Sequence, residues 1–266
     1  MFKALRIGIL LFVLLNVALG AWLTKKRSTS WQQPLRVVIY PINADASAAS
    51  TAYIATLNDE HWQSIENFLH NEAQRFGIDN SLPVQVRLGP QVNSLPPVPP
   101  QNGNPLQIGW WSLQLRYWSW RHDRYAGARP DVRLFALYHD PQLTPQVAHS
   151  LGLEQGLSGV ANLYADKAFA GRNQVVLTHE LLHTVGASDK YDPASGAPLY
   201  PDGYAEPLRE PRLPQLQAEI MAGRIPLAGG KLQMPPSLNE AMVGAQTARD
   251  SSWLERCCGL ECRSRG

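Results

Sequence analysis

The stretch THELLHTVGASD, residues 178–189, decides how this chain is interpreted. On an α-helix His179 and His183 project from one face, because side chains four positions apart lie one turn above the other. Two imidazoles placed in this way can bind a single metal ion. Glu180 lies next to the first imidazole, where its carboxylate can reach a water molecule bound to the same metal. The spacing therefore predicts a helix that carries two metal ligands and a general base.

The residues around this motif complete a metal site. We expect Asn173 to cap the start of the helix and Gly186 to end it, since glycine readily takes the left-handed conformation of a sharp turn. Asp189 lies six residues beyond His183, close enough for its carboxylate to return to the metal. Two histidines and one carboxylate leave a fourth position open, which is typical of a catalytic zinc ion. The alternative, two surface histidines and a turn aspartate, is disfavoured by the apolar character of residues 175–185.

The pattern H-E-x-x-H-x-x-G-x-x-D resembles that of the metzincin clan of zinc metalloproteases, and snapalysin-like bacterial proteases share its aspartate. A methionine turn is the second mark of the clan, and residues 218–223 match it, with Met221 as the supporting residue. The resemblance implies an α+β fold: one zincin-like domain, residues 28–253, with a mixed twisted sheet, an active-site helix and a C-terminal helix. It also implies a zinc-dependent metallopeptidase that hydrolyses peptide bonds through a metal-activated water, with Glu180 as the general base.

The position of a catalytic tyrosine differs from the family pattern. Some metzincins have a tyrosine two residues beyond the methionine, where this chain has Gly223. A phenol that assists the reaction must then come from elsewhere. Tyr191 is the candidate, with Tyr200 and Tyr204 behind it, although packing or loop anchoring is the alternative role for each of them.

A rival assignment keeps the zinc ion and changes the third ligand. In thermolysin-like enzymes a glutamate farther along the chain completes the site, and Glu206, Glu210 and Glu219 are available here. Prolines around the first two disfavour a ligand-bearing helix at that place. In that arrangement the turn at Gly186 would also not be needed to bring the third ligand to the metal. Asp189 is therefore the preferred ligand.

The sequence upstream of the motif predicts alternating strands and helices from β-branched runs and helical apolar spacing. Residues 109–125 are rich in tryptophan and arginine, which fits an amphipathic helix packed on the body, a membrane-surface or ligand-stacking patch, or a strand. A substrate peptide is expected to lie beside residues 159–165 as the edge strand of the sheet. The predicted strands are 35–40, 84–88, 131–139 and 159–165, and the predicted helices are 58–76, a long helix from about 173 and a final helix from Ser237.

The N-terminal segment, residues 1–27, is predicted to lie outside the folded domain. Residues 7–23 carry no charge and are just long enough to cross a bilayer, and the basic cluster 25–27 follows them. This pattern is typical of a retained membrane anchor or of a cleaved signal segment, and a buried hydrophobic helix is the third alternative. We therefore expect a membrane-anchored or exported protein, with the extracytoplasmic side favoured.

Composition excludes several other classes of protein. The charge balance is 24 − 22 = +2, so the chain lacks the positive field with which proteins bind nucleic acid. A hydrophobic fraction of 44% is too high for a disordered chain. Cys257, Cys258 and Cys262 lie together in a basic tail, residues 254–266, and allow at most one disulfide there.

The expected partners are a peptide or protein substrate and a membrane. The alternatives are a non-catalytic membrane-associated interaction protein on a zincin-like scaffold and a zinc amidase that acts on cell-wall peptide.

Overall fold

The computed structural model describes residues 29–100, 103–147, 151–153 and 157–254, together with scattered positions between 6 and 27. Most of the predicted anchor and all three cysteines of the predicted tail lie outside these residues. Within the described part of the chain, no helix combines the length and the apolar character needed to cross a membrane.

A five-stranded sheet forms the centre of the molecule, in the order β2-β1-β3-β5-β4. Four neighbouring strands run parallel, and β4 is antiparallel to β5 at the edge of the sheet. The runs predicted as strands all lie in this sheet, because their β-branched and aromatic side chains pack on both of its faces. The strands are β1 (Leu35–Asn43), β2 (Val84–Leu88), β3 (Val132–His139), β4 (Leu151–Leu153) and β5 (Ser158–Tyr164).

The edge strand is not the one that the sequence predicts. Residues 159–165 were expected at the edge, but β5 pairs with β3 on one side and with β4 on the other. The strand at that edge is β4, which places Leu151 opposite Val160 and Leu153 opposite Ser158, and β2 lies at the opposite edge. A three-residue strand is too short to show the period-two pattern by which strands are recognised.

Helices cover both faces of the sheet, which makes this a mixed α/β fold. Side chains of β1 alternate between two cores: Val37 and Ile39 face one, and Val38 and Tyr40 face the other. The first core also receives α2 and α4, and the second receives α3. The helices are α1 (Ala48–Ile54), α2 (Gln63–Arg75), α3 (Pro105–His122), α4 (Ala170–Thr184) and α5 (Ala245–Asp250).

The tryptophan-rich region is helical rather than extended. Asn104 caps α3 by accepting a hydrogen bond from the Gln107 amide, and Pro105 occupies the first turn, where its missing N–H costs nothing. Trp111 and Leu115 are buried against the sheet. The arginine-rich turn after the helix is tied down where Asp123 accepts a hydrogen bond from the Arg133 guanidinium, at 2.7 Å.

The chain beyond α4 contains only short elements. A helix from Ser237 was predicted, and this prediction is wrong: Ser237 caps a single 3-10 turn, Leu238–Glu240. The next two residues leave the turn to pair with another strand, and this pairing takes the place of further helical turns. The short strands are β6 (Ala218–Glu219), which is parallel to β9 (Ala241–Met242), and β7 (Ile225–Pro226), which is antiparallel to β8 (Leu232–Gln233).

Candidate metal centre

Helix α4 begins earlier than its sequence suggests. The predicted cap, Asn173, lies inside the first turns and is buried. Its amide accepts a hydrogen bond from the Tyr164 N–H and donates one to the Tyr164 carbonyl, at 3.1 and 2.8 Å. Asn173 therefore joins α4 to the end of β5 rather than capping the helix. Asp166 caps the short turn that leads into the helix.

The two predicted imidazoles face a common point. The Nε2 atoms of His179 and His183 are 3.0 Å apart. Each Nδ1 lies near a main-chain carbonyl, that of Ile220 at 3.0 Å and that of Ala187 at 2.8 Å. A carbonyl only accepts, so each Nδ1 carries a proton, and each ring in its neutral form presents the Nε2 lone pair. This is the arrangement in which histidines bind metals.

The bend at Gly186 brings a carboxylate to the same point. Gly186 has φ 111°, a left-handed conformation that a side chain would strain. Asp189 Oδ1 then lies 3.2 Å from His179 Nε2 and 3.1 Å from His183 Nε2. One ligand atom from each residue lies within 4.8 Å of the other two, so the group could hold a metal ion. The set of three predicted from the sequence spacing is thus brought together.

The electrostatics of this group favour a bound cation. Burial alone would raise the pKa of Asp189, but its contacts with the two imidazoles hold that pKa well below its usual range. Burial alone would lower the pKa of His179, but Asp189 and then Glu180 raise it above its usual value. The aspartate is consequently ionised and provides a negative charge between two nitrogen donors. Two imidazole nitrogens and one carboxylate oxygen are a donor set that suits zinc.

Glu180 is the unusual carboxyl group of the site. Its side chain is only 4% exposed, and Oε2 has no hydrogen-bond partner among the described residues. Burial raises the pKa of Glu180, against the lowering effect of His179 and His183. A buried carboxyl oxygen without a partner costs free energy unless something bound completes it. The position next to the ligand cluster fits a group that exchanges a proton with a bound water molecule.

The predicted methionine turn lies directly beneath the imidazoles. Met221 is fully buried, and its carbonyl accepts a hydrogen bond from the Lys190 N–H at 3.0 Å. The preceding carbonyl, that of Ile220, is the one that accepts from His179. The turn therefore supports both the helix that carries the histidines and the loop that carries Asp189.

Glu219 has a role that the sequence did not indicate. It was considered as a rival third ligand, but its buried carboxylate accepts hydrogen bonds from four donors of the chain itself. Burial raises the pKa of Glu219, and these hydrogen bonds oppose that shift. The donors are the N–H groups of Met221, Ala222 and Gly244 and the Thr247 hydroxyl, at 2.7 to 3.0 Å.

The other two rival ligands, Glu206 and Glu210, do not belong to the ligand cluster of the described residues. Glu206 instead accepts a hydrogen bond from Arg209 at 2.9 Å. Glu210 is exposed. Asp189 is thus the carboxylate that this structure places with the histidines.

The predicted tyrosine lines the same cleft as the ligand cluster. Burial, and then the negative charges of Asp189 and Glu180, raise the pKa of the Tyr191 phenol. Tyr200 is 54% exposed and packs edge-on against Tyr204, outside the lining of this cleft. Among the three tyrosines considered, Tyr191 is the one placed for a role near the ligand atoms.

The cleft has a volume of about 490 Å³. Its lining includes Val175 and Val176 of α4 and residues 193–196 of the loop beyond Asp189. Arg224 adds an exposed cation to the lining. No local pattern distinguishes Arg224 from other surface arginines, so the sequence could not reveal it.

No protein-family model matches this chain, and neither does any curated protein sequence. The functional conclusion therefore rests on the geometry of the cleft.

Proposed function

We propose that this chain is a zinc-dependent metallopeptidase with a zincin-like fold. The observation that carries the proposal is the convergence of two imidazole nitrogens and one carboxylate oxygen beside the unpartnered Oε2 of Glu180. A purely structural metal site would need no buried carboxyl group next to it. The mixed sheet with an antiparallel edge strand, and the methionine turn beneath the histidines, support the zincin-like assignment.

The catalytic roles follow from the positions of the side chains. His179, His183 and Asp189 would hold a zinc ion, which would supply Lewis-acid chemistry: polarisation of the scissile carbonyl and a water molecule acidic enough to attack near neutral pH. Glu180 takes a proton from that water at Oε2 and delivers it to the leaving amine, a role to which its raised pKa is suited. Tyr191, on the cleft wall, donates a hydrogen bond to the oxyanion that develops.

The substrate peptide adds a strand to the edge of the sheet. Strand β4 contacts helix α4 and has one side free of pairing with any strand of the described sheet. An extended peptide beside β4 gains main-chain hydrogen bonds and passes close to the metal ligands. The apolar N-terminal run supports a location at or beyond a membrane.

The proposal is tested by separating zinc binding from hydrolysis in the full chain. Glu180→Gln should retain one zinc per chain and lose peptide cleavage by at least about 100-fold. The exposed Glu60→Gln serves as the matched control and should leave both properties unchanged. Metal analysis and a proteome-derived peptide cleavage screen give the two readouts. Zinc binding by the unmodified chain without any cleavage would favour the interaction-protein alternative.

A second pair of variants tests the third ligand. Asp189→Ala should lower the zinc content sharply, because two imidazoles alone hold the ion poorly. Asp202→Ala, on an exposed turn, is the control. Undiminished zinc in the Asp189 variant would refute the ligand assignment.

A further inference from the structure

Helix α3 is apolar on two opposite sides. Its inner side packs on the sheet through Trp111 and Leu115. Its outer side carries a second set of apolar residues, spaced alternately by four and three positions, so that they form one stripe along the helix. We call this set the outer stripe: Leu106, Trp110, Leu113, Tyr117 and Trp120.

The outer stripe is exposed to an extent that is unusual for such large side chains. Leu106 is 85% exposed, Trp110 65%, Leu113 57%, Tyr117 61% and Trp120 66%. Single exposed apolar residues are common, but a continuous row of them marks a surface that meets another apolar phase. Tryptophan and tyrosine are the residues that favour the boundary between water and lipid.

The charged side chains of α3 are all positive, and Asp123, which directly follows the helix, is paired with Arg133. Residues 105–122 contain no aspartate or glutamate. Arg121, Arg124 and Arg129 are exposed at the C-terminal end of the helix and in the turn after it. This combination complements an anionic surface. In a symmetric pair that sets two such helices parallel, the same arginines would bring like charges together.

Arg27, which closes the basic cluster after the apolar run, contacts the fold near this end of the helix. Residues 7–23 are uncharged, and the basic residues 25–27 follow them. Arg27 donates a hydrogen bond to Asp131 at 2.8 Å, immediately after the turn that contains Arg124 and Arg129. A membrane that receives the apolar run therefore lies close to the basic end of α3.

We propose that the outer stripe of α3 rests on an anionic lipid surface and forms a second membrane contact beside the N-terminal segment. The aromatic rings occupy the headgroup boundary, and the arginines meet lipid phosphates. Since α3 and α4 pack on opposite faces of the sheet, this contact leaves the cleft open to solvent. The inference concerns a surface remote from the metal site and stands independently of the proposed catalysis.

The test uses the full chain in vesicles of equimolar phosphatidylglycerol and phosphatidylcholine. The three tail cysteines are replaced by serine, and one new cysteine is introduced as Leu113→Cys, or as Leu208→Cys in the control. Leu208 is 90% exposed and lies far along the chain from α3. An environment-sensitive fluorophore is attached at that cysteine, and brominated lipid serves as the quencher.

We expect the label at position 113 to shift to shorter wavelength and to be quenched by brominated lipid, whereas the label at position 208 does neither. Arg121→Glu together with Arg124→Glu should lower the quenched fraction at least about tenfold, as should vesicles of phosphatidylcholine alone. Trp120→Cys provides a second labelled site on the stripe if the first variant folds poorly. A label that stays exposed to water in the anionic vesicles would overturn the proposal. Protection of the label from water in the absence of vesicles would also overturn the proposal. If that protection depends on protein concentration, a second copy of the chain covers the stripe; if it does not, residues 7–23 cover it.

Discussion

At the scale of single residues, the carboxylate of Glu219 holds the floor of the cleft together. Its two oxygens accept from main-chain groups on both sides of the β6–β9 pair and from the hydroxyl of Thr247. The same turn presents the Ile220 carbonyl to His179. The geometry of a candidate metal ligand therefore depends on a side chain outside the ligand cluster.

Replacing this carboxylate should destabilise the protein. In Glu219→Gln, one acceptor oxygen becomes an NH2 group that faces N–H donors, so buried donors lose their partners. We expect the free energy of unfolding to fall by about 2 kcal/mol or more. Urea denaturation measures the change, and the exposed Glu210→Gln is the matched control. Equal midpoints for the two variants would contradict the role assigned to Glu219.

The phenol of Tyr191 should matter for rate and not for metal content. Tyr191→Phe removes the hydrogen bond to the developing oxyanion but no metal ligand. We expect kcat to fall by about 10- to 100-fold with unchanged zinc content. Tyr200→Phe changes an exposed ring outside the cleft and should leave the rate as it is. A fall in zinc content that accounts for the whole loss would instead assign Tyr191 to the support of the site.

At the scale of elements, Asp45 joins the start of α1 to the end of β3. Its carboxylate accepts hydrogen bonds from the Ser47 and Asp140 N–H groups, at 3.0 and 2.6 Å. Burial alone would raise the pKa of Asp45, but these hydrogen bonds lower it to about 2. A carboxyl group whose pKa is lowered by folding stabilises the protein above its unfolded pKa, and this contribution disappears as the pH falls through the folded value.

The pH dependence of Asp45→Asn follows from this shift. At neutral pH the variant should lose about 1 kcal/mol of stability, since solvent screens much of the interaction. The difference from the unmodified chain should shrink as the pH falls from about 4 toward 2. Denaturation midpoints measured across this range, with Asp202→Asn as control, test the sign. A difference that grows in acid would be incompatible with the lowered pKa.

The loop that carries Asp189 is tied to the last helix. Lys190 is 6% exposed, and its Nζ lies 2.5 Å from Asp250 Oδ2 and 2.6 Å from Ser188 Oγ. Asp250→Asn would leave a buried ammonium without its counter-charge, at a cost of roughly 3 kcal/mol. We also expect zinc to bind more weakly, because the adjacent aspartate is no longer held in place. Zinc titration and urea denaturation should both respond, in contrast to Asp79→Asn on the surface.

The parts of this fold that the sequence predicts are those set by local spacing. The four-residue interval between His179 and His183 fixes their common face, and the bend at Gly186 directs the chain back toward them. Strand β4 was missed because three residues are too few to show the alternation of apolar and polar side chains that marks a strand. The helix expected from Ser237 was wrong because its capping pattern is local, whereas the competing strand partner lies about twenty residues earlier in the chain.

The side-chain partners of the site were the least accessible to sequence reasoning. Asparagine is a residue type that often caps helices, so the sequence predicted that role for Asn173. Its hydrogen bond to Tyr164 depends instead on how β5 and α4 pack. From the sequence alone, Glu219 could be a metal ligand or an exposed acidic residue. Its hydrogen bonds with Gly244 and Thr247 become visible only in the structure. Such pairs are distant in sequence, and no periodicity marks them.

At the scale of the whole molecule, a bound metal ion should stabilise the fold by linking separate segments of the chain. The ligands come from α4 and from the loop beyond it, and the floor comes from a third segment, so a bound ion links three parts of the chain. A ligand that binds only the folded state stabilises it by about 4 kcal/mol at a thousand times its dissociation constant. We therefore expect chelation to lower Tm by several degrees. The shift should be absent in Asp189→Ala, and a shift of equal size there would place the ion elsewhere.

The ion pair between Lys190 and Asp250 also determines how late in synthesis the loop that carries Asp189 can become ordered. A carboxylate held in place by a group some sixty positions downstream is not positioned until the ribosome has made that later stretch. Fragments released early during translation would lack the tether, and with it a well-ordered third ligand. In the proposed metallopeptidase, Asp189 would therefore be held in place only after the chain has been synthesised beyond residue 250.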